Sequence, residues 1–478
     1  MSATDAVVVG SGPNGLAAAI ALAQAGRSVR VLEAAETIGG GMRTEELTLP
    51  GYLHDTCSAV HPMALASPFL RSLPLAEHGL EFVHPEVPLA HPLDGGRAAA
   101  LYRTVEGTAV ALGDDADAYR RLMSPLVRAA EPILDDIMGP VLRLPRHPLA
   151  TARFGLLAVQ PAARLARTHF ATDAGQALVA GLAAHSMQPL EAPGTAAFAL
   201  VLAMTGHTAG WPVAVGGSQS IADAMASLLR SLGGEIETGS EVRTLADAGD
   251  TRAVLFDLSP SLVERICGDA LPPRYRRTLR AFRHGPGVFK IDYALTEPVP
   301  WIAEACRRAG TVHVGGTLAE IAAAEADVAA GRIPERPYVL VAQQSLIDSG
   351  RAPAGAHTLW AYCHVPNGSP VDMTDAVERQ LERFAPGFRD VVAARHTMAA
   401  PQVEAHNPSF VGGDINGGAA TLWQAICRPA LRPSPARTPN PRLFLCGSST
   451  PPGGGVHGMC GYHGAQAALR GVLTDRQA

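Results

Sequence analysis

Residues 5–44 read DAVVVGSGPNGLAAAIALAQAGRSVRVLEAAETIGGGMRT. Asp5 to Val9 is a short apolar run with the character of a buried strand. It ends in Gly10-Ser11-Gly12-Pro13-Asn14-Gly15, a G-x-G-x-x-G. An alanine-rich helix is predicted from Asn14 to Ala25, stopping at Gly26. A second strand, Ser28 to Leu32, runs into Glu33. Strand, glycine turn, helix, strand and terminal acid form the dinucleotide-binding βαβ unit. Gly10 permits the tight turn, Gly12 lets the backbone approach a pyrophosphate, and Gly15 packs helix on strand. The helix N-terminus offers free N–H groups and a positive dipole end to phosphates. Glu33 can accept both hydroxyls of an adenosine ribose. A second glycine turn, Gly39-Gly40-Gly41-Met42-Arg43, would add backbone N–H groups and a guanidinium to the phosphate contacts.

Composition bounds what can be attached to this unit. The chain has 478 residues, 47% of them apolar and 17% charged. That is globular, and more than one core usually organises. A net charge of −5 without Lys/Arg runs excludes a nucleic-acid binder. No signal peptide precedes the first strand and no apolar run reaches a membrane span, so a cytoplasmic location is expected. The seven cysteines are scattered without a C-x-x-C, which offers neither a disulfide framework nor a zinc site; no metal site is expected. Of 39 basic residues only Lys290 is a lysine.

Three later stretches continue the pattern. Around 210–242 the order is glycine turn (Gly216-Gly217), amphipathic helix from Gln219 to Leu232, glycine stop, and a strand up to Val242. At 271–295, Leu271-Pro272-Pro273 opens a helix. The strand Val288 to Leu295 follows, with Lys290 and Asp292 on one face and Phe289, Ile291 and Tyr293 on the other. Near the end, the strand 442–446 leads into Gly447-Ser448-Ser449-Thr450-Pro451-Pro452-Gly453-Gly454-Gly455-Val456-His457-Gly458 and a helix from Tyr462 to Leu473. A strand, a glycine loop and a helix N-terminus form an anion site once more.

In this order, the four stretches resemble the FAD-dependent amine oxidase superfamily, and the last is similar to the C-terminal signature of its phytoene desaturase-like, carotenoid oxidoreductase-like members. The resemblance brackets the chain, leaving about 62–209 and 300–430 unmatched. It implies an α/β fold. A Rossmann-like, glutathione-reductase-type FAD domain (1–61, 210–260 and 436–478) would be interleaved with an α+β substrate domain under a helical cap (62–209 and 261–435). FAD contacts are implied for Gly10, Gly12, Pro13, Asn14, Gly15, Glu33 and Ala34, for Gly40, Gly41, Met42 and Arg43, and for the Val242 backbone. Gly447, Ser448, Gly455, Val456, His457 and Gly458 complete the set. Lys290 would hold a water at flavin N5, where a cation favours reduced flavin and its reaction with oxygen. His54, Asp55 and His61 are candidates beside the flavin, as are His457 and His463; Cys460 is a conceivable covalent attachment point. In one departure, the β meander usual after Val242 is truncated to residues 243–252.

The chemistry implied is hydride removal from carbon, in which the protein positions a C–H bond and excludes water. A desaturase or dehydrogenase acting on a hydrophobic small molecule is one reading. An oxygen-using flavin amine oxidase with Lys290 near N5 is the second, although only 5% aromatic content offers no clear amine cage. A flavin-free binding protein like the Rab GDP-dissociation inhibitors is the third. The electron acceptor stands open between oxygen and a quinone, and the oligomeric state is also open. Residues 150–166, mostly Ala, Leu and Val with spaced Arg, read either as a packed helix or as a peripheral membrane contact.

Overall fold

The computed structural model describes residues 4–140 and 144–474. Two sheets organise it. The first has five parallel strands, in the spatial order Leu443–Leu445, Thr251–Phe256, Thr4–Val9, Val29–Leu32 and Glu235–Glu237. The central strands are near-continuous Val, Leu and Ala runs because helices cover them. One face is packed by helix Pro13–Gln24, which lies between helices Gln219–Ser231 and Met459–Leu469. The contact with the last helix is close. A Cβ on Gly461 would stand 1.8 Å from the Asn14 carbonyl oxygen, and one on Gly458 would stand 2.8 Å from Ala17 Cβ.

The opposite face carries helices Pro260–Cys267 and Pro273–Arg280. Val263, Ile266, Tyr275 and Leu279 form one apolar cluster with Val7, Val9 and Phe256. The boundary expected at 260 is therefore displaced: the chain stays with the parallel sheet until about 280. The strand expected to reach Val242 stops at Glu237. Val242 follows in a loop tied back by Ser240 N–H to the Glu33 carbonyl.

The second sheet has seven strands in the order Val392–Met398, Gly287–Leu295, His357–Val365, Val339–Ala342, Ala309–Val314, Val87–Leu93 and Arg97–Leu101. All pairs are antiparallel except Val87–Leu93 beside Ala309–Val314. One face packs Phe289, Ile291, Tyr293, Val341 and Leu359 against Val377, Leu381 and Phe384 of helix Thr374–Phe384. The other face is more polar. The register aligns Lys290, Tyr362, Leu340 and His313 in one row, and Asp292, Trp360, Ala342 and Thr311 in the next. Opposite this floor stand the helices of 105–208, chief among them Thr195–Thr208. No described helix is long and apolar enough to cross a membrane.

Candidate functional site

The carboxyl ends of the parallel strands open into a cavity of about 740 Å³, as expected where a doubly wound sheet binds ligands. One end is a strip of backbone and small side chains: Gly10, Gly12, Pro13, Asn14, Glu33, Ala34, Gly40, Gly41 and Arg43, with Val242 beside them. Ser448, Gly455, Val456 and His457 close it from the C-terminal loop. The two glycine turns face each other so closely that a Cβ on Gly40 would lie 3.1 Å from Gly12 Cα.

Helix Pro13–Gln24 begins at Gly12, which has no capping side chain, and carries no acid in its first turn; Asp257 takes the Gly15 N–H, which leaves the Asn14 N–H for an anion. Asn14 Oδ1 and Arg43 Nε are buried without partners in this strip. An extended dinucleotide diphosphate fits such a cradle. Glu33 is more engaged than its motif suggests. Its Oε2 accepts from Ser11 N–H at 2.8 Å and Ser11 O–H at 2.6 Å, its Oε1 accepts from Ala35 N–H at 2.9 Å, and Arg43 lies 3.6 Å away. Rotating the Ser11 hydroxyl would free Glu33 to take both ribose hydroxyls.

Four expected contact residues lie behind the lining. A Cβ on Gly15 would meet the Gly10 carbonyl oxygen at 2.0 Å, so Gly15 shapes the turn. Met42 is fully buried in the core. Gly447 is pressed on Asp257 and Leu258, and Gly458 on Ala17. Asp257, at the end of strand Thr251–Phe256, is a site residue that its sequence does not announce. It lines the cavity, is half-buried, and its Oδ2 accepts from Gly15 N–H at 2.8 Å. Burial pushes its carboxyl up to about 7, and the Glu33 charge acts in the same direction.

The histidines divide by what their rings do. His457 lines the cavity, but its Nδ1 accepts from Met459 N–H and its Nε2 donates to the Gly453 carbonyl. Both nitrogens are used, and the ring braces the C-terminal loop. His61 also lines the cavity, bonded to Ser218 Oγ at 2.9 Å. Burial pushes both down to about 4, so both are neutral near pH 7. His463 bonds the Met138 carbonyl instead. Cys460 is buried against the Thr450 and Gly453 carbonyls and does not line the cavity, so the structure gives no support to covalent attachment there.

Asp55 belongs to a buried ion cluster. Arg351, fully buried, bonds it at 2.6 Å and Asp348 at 3.0 Å. Lys290 is buried on the sheet floor and ion-paired with Asp292, which His54 approaches at 3.7 Å. Lys290 lines a small recess shared with Gly40, Gly41, Cys57, Tyr362 and Phe410. That recess adjoins the second glycine turn, and Gly40, Gly41, Cys57, Tyr362 and Phe410 line the main cavity as well, whereas Lys290 does not.

The far end of the cavity is apolar: Ile137, Met138, Ala197, Phe198, Val201, Leu202, Trp211, Leu340 and Trp360 line it. His185 and Thr311 interrupt this wall. Neither is marked by a sequence motif. The glycine-rich loop at 412–418 contributes Ile415, Asn416 and Gly417 to the lining.

Comparison with known proteins agrees with this geometry. The family described as flavin containing amine oxidoreductase matches residues 14–468. The mouse pyridine nucleotide-disulfide oxidoreductase domain-containing protein 2 is 28% identical, covering 98% of this chain and 93% of its own. Hydroxyneurosporene desaturase of Cereibacter sphaeroides is 27% identical, covering 98% of each. Among solved structures, putrescine oxidase bound to putrescine superposes with a TM-score of 0.61 at 19% identity, covering 98% of this chain and 97% of that one. With a family match over nearly its whole length and an open diphosphate cradle, the chain belongs to the flavin-containing amine oxidoreductases and is an FAD-dependent oxidoreductase.

Proposed function

We propose that this enzyme removes hydride from a C–H bond of a hydrophobic small molecule, as a desaturase or dehydrogenase. The observation that carries this reading is the continuity of one cavity, half dinucleotide cradle and half apolar chamber. Relatives named 4,4'-diapolycopen-4-al dehydrogenase and hydroxyneurosporene desaturase support the same reading. Bound FAD would supply a two-electron acceptor. The chain's part is positional. Gly12, Asn14 and Arg43 would hold the diphosphate and Glu33 the ribose. Phe198, Val201, Leu340 and Trp360 would desolvate the substrate and hold it against the cofactor. Purified protein, reduced anaerobically and exposed to air, tests it. The desaturase reading expects a flavin that stays reduced until a quinone is added.

Lys290 favours a second reading, an oxygen-using oxidase. A buried ammonium on the floor, beside the second glycine turn, would stabilise negative charge developing on a reduced ring system. Rapid reoxidation in air, slowed in Lys290→Met, would decide for it.

We further propose contact with an anionic membrane surface. Leu149 and Leu156 of helix Pro148–Ala158 are 88% and 74% exposed, and Trp423 of helix Leu422–Ile426 is 70% exposed. The two helices are neighbours: Gly194 N–H bonds the Val159 carbonyl, and the same glycine abuts Leu422. Stretches 137–172 and 415–474 contain no Asp or Glu, in a chain of net charge −5, while Arg146 and Arg153 lie exposed on either side of Leu149. Exposed apolar knobs beside exposed arginine suit an anionic bilayer. Flotation with phosphatidylglycerol vesicles tests it: Leu149→Glu with Trp423→Glu should abolish binding. Absence of wild-type flotation, or its persistence in the double variant, would refute it.

A further inference from the structure

The apolar end of the cavity is not uniformly apolar, and its polar groups are gathered on one wall. Thr311 Oγ1 is buried without a hydrogen-bond partner on a side chain that lines the cavity. Two residues along the same strand, and so on the same face, is His313, whose Nε2 lies 3.0 Å from Nε2 of His185. His185 lines the cavity, while His313 is fully buried behind it. One Nε2 carries the proton and the other accepts it, so the His185 ring is held edge-on by its neighbour. Its Nδ1 has no protein partner among the hydrogen bonds of the described residues.

The placement of His185 is enforced. It follows helix Asp173–Ala184, and two residues later Met187 takes a φ of 52°, the one positive φ at a non-glycine among the described residues. Asn416 donates to Met187 Sδ and to the His185 carbonyl. Helix and sheet meet here over Gly181, where a Cβ would stand 2.8 Å from His91 Nδ1 and 2.9 Å from His313 Nδ1. A strained turn, a glycine kept bare by two imidazoles, and unpaired polar atoms in an apolar wall are costly features. Packing accounts for the bare glycine, but not for the unpaired polar atoms.

We propose that His185 and Thr311 form a polar end-subsite that receives a hydroxyl or carbonyl oxygen of an otherwise apolar substrate. This deepens the hydrophobic-substrate reading and rests on it. The Thr311 hydroxyl donates to or accepts from that oxygen, and the His185 ring completes its hydrogen bonding. Neither group carries charge: burial pushes His185 down to about 3 and His313 well below the usual imidazole range. A neutral oxygen function suits such a site, whereas an ammonium would find no counter-charge in it. The sheet supplies a ruler. Lys290 and His313 are ends of one cross-strand row, three strand spacings or about 14 Å apart. The substrate is therefore elongated, with its oxygen held far from the bond at the cofactor.

The test uses the FAD-loaded enzyme and three matched probes, octane, 1-octanol and 2-octanone. Titration calorimetry and the visible flavin absorbance report binding. The oxygenated probes should bind about tenfold tighter than octane, the effect of one buried hydrogen bond formed where polar groups are otherwise unpaired. Thr311→Val and His185→Phe should each remove most of that preference, read as the ratio of affinities for the oxygenated and apolar probes. Flavin content and melting temperature verify that each variant is folded. Equal binding of all three probes, or a preference that survives both substitutions, overturns the subsite and leaves the apolar chamber standing. Failure of every probe to bind overturns both.

Discussion

Replacing Asp257 by Asn should make the cofactor-free protein more stable above neutral pH. The Asp257 carboxyl is half-buried under the phosphate cradle, where Gly12, Gly15 and Gly447 have no side chains to displace it. Its ordinary value of 3.8 is pushed up to about 7, chiefly by burial. In the unfolded chain the group is ionised above about pH 4; in the folded chain it keeps its proton until about pH 7. The folded state thus binds the extra proton, and stability falls as pH rises between those values. The loss is about 4 kcal/mol when complete. Asn has no proton to lose, and its carbonyl can still accept from Gly15 N–H. Urea unfolding of both proteins should show a gap of several kcal/mol at about pH 8 that closes at about pH 4. Histidines 54, 61, 91 and 457, each pushed down to about 4, weaken both proteins equally on the acid side. Parallel pH profiles with a constant offset would refute the reasoning. FAD affinity gives a second readout: it should weaken through pH 7 in the wild type and not in the variant.

Arg351→Met should cost about 3–5 kcal/mol, because it strands the buried Asp55 and Asp348 carboxylates without a cation. Chemical denaturation measures it, and the cost should shrink at acid pH as Asp55 takes up a proton. Burial opposes the ionised form of Asp55, yet Arg351 holds it below its ordinary value. Gly461→Ala places a methyl 1.8 Å from the Asn14 carbonyl oxygen and should force helix Met459–Leu469 off helix Pro13–Gln24. An expected loss of about 1–3 kcal/mol or more would appear in thermal melts, together with a reduced flavin-to-protein absorbance ratio. Glu33→Gln should weaken FAD binding by about tenfold, since it removes the charge from the ribose site; equilibrium dialysis reads this directly.

The cofactor end of the molecule was legible because its chemistry is local. A glycine turn, its strand and its helix lie within one stretch, and Gly10, Gly12, Glu33 and Arg43 stand where their spacing placed them. The floor strand Gly287–Leu295 was readable from the alternation of Lys290 and Asp292 with Phe289, Ile291 and Tyr293. Strand Val87–Leu93 was not, because VPLAHPL carries two prolines, which argue against an interior strand. It nevertheless lies between two neighbours in the sheet. Asp257 read as one more residue of a strand, since only the fold shows that strand ending beneath the glycine turn. His185 and His313 are 128 residues apart and share no motif; their pairing is a property of helix-on-sheet packing alone.

The parallel sheet takes its outer strand from residues 443–445, and the first helix takes one of its two neighbours from residues 459–469. Residues 10–15 therefore have no finished surroundings until almost the whole chain has been synthesised. The contacts that complete the cradle span more than 400 residues, the kind of long-range closure that comes late in folding. Cofactor capture thus waits on residues 443–469. A ribosome-bound intermediate would display the glycine signature without the ability to retain a flavin. Loaded cofactor then reports that residues 10–15 and 443–469 have met, which makes flavin retention a readout of assembly for variants whose substitutions lie outside the cradle.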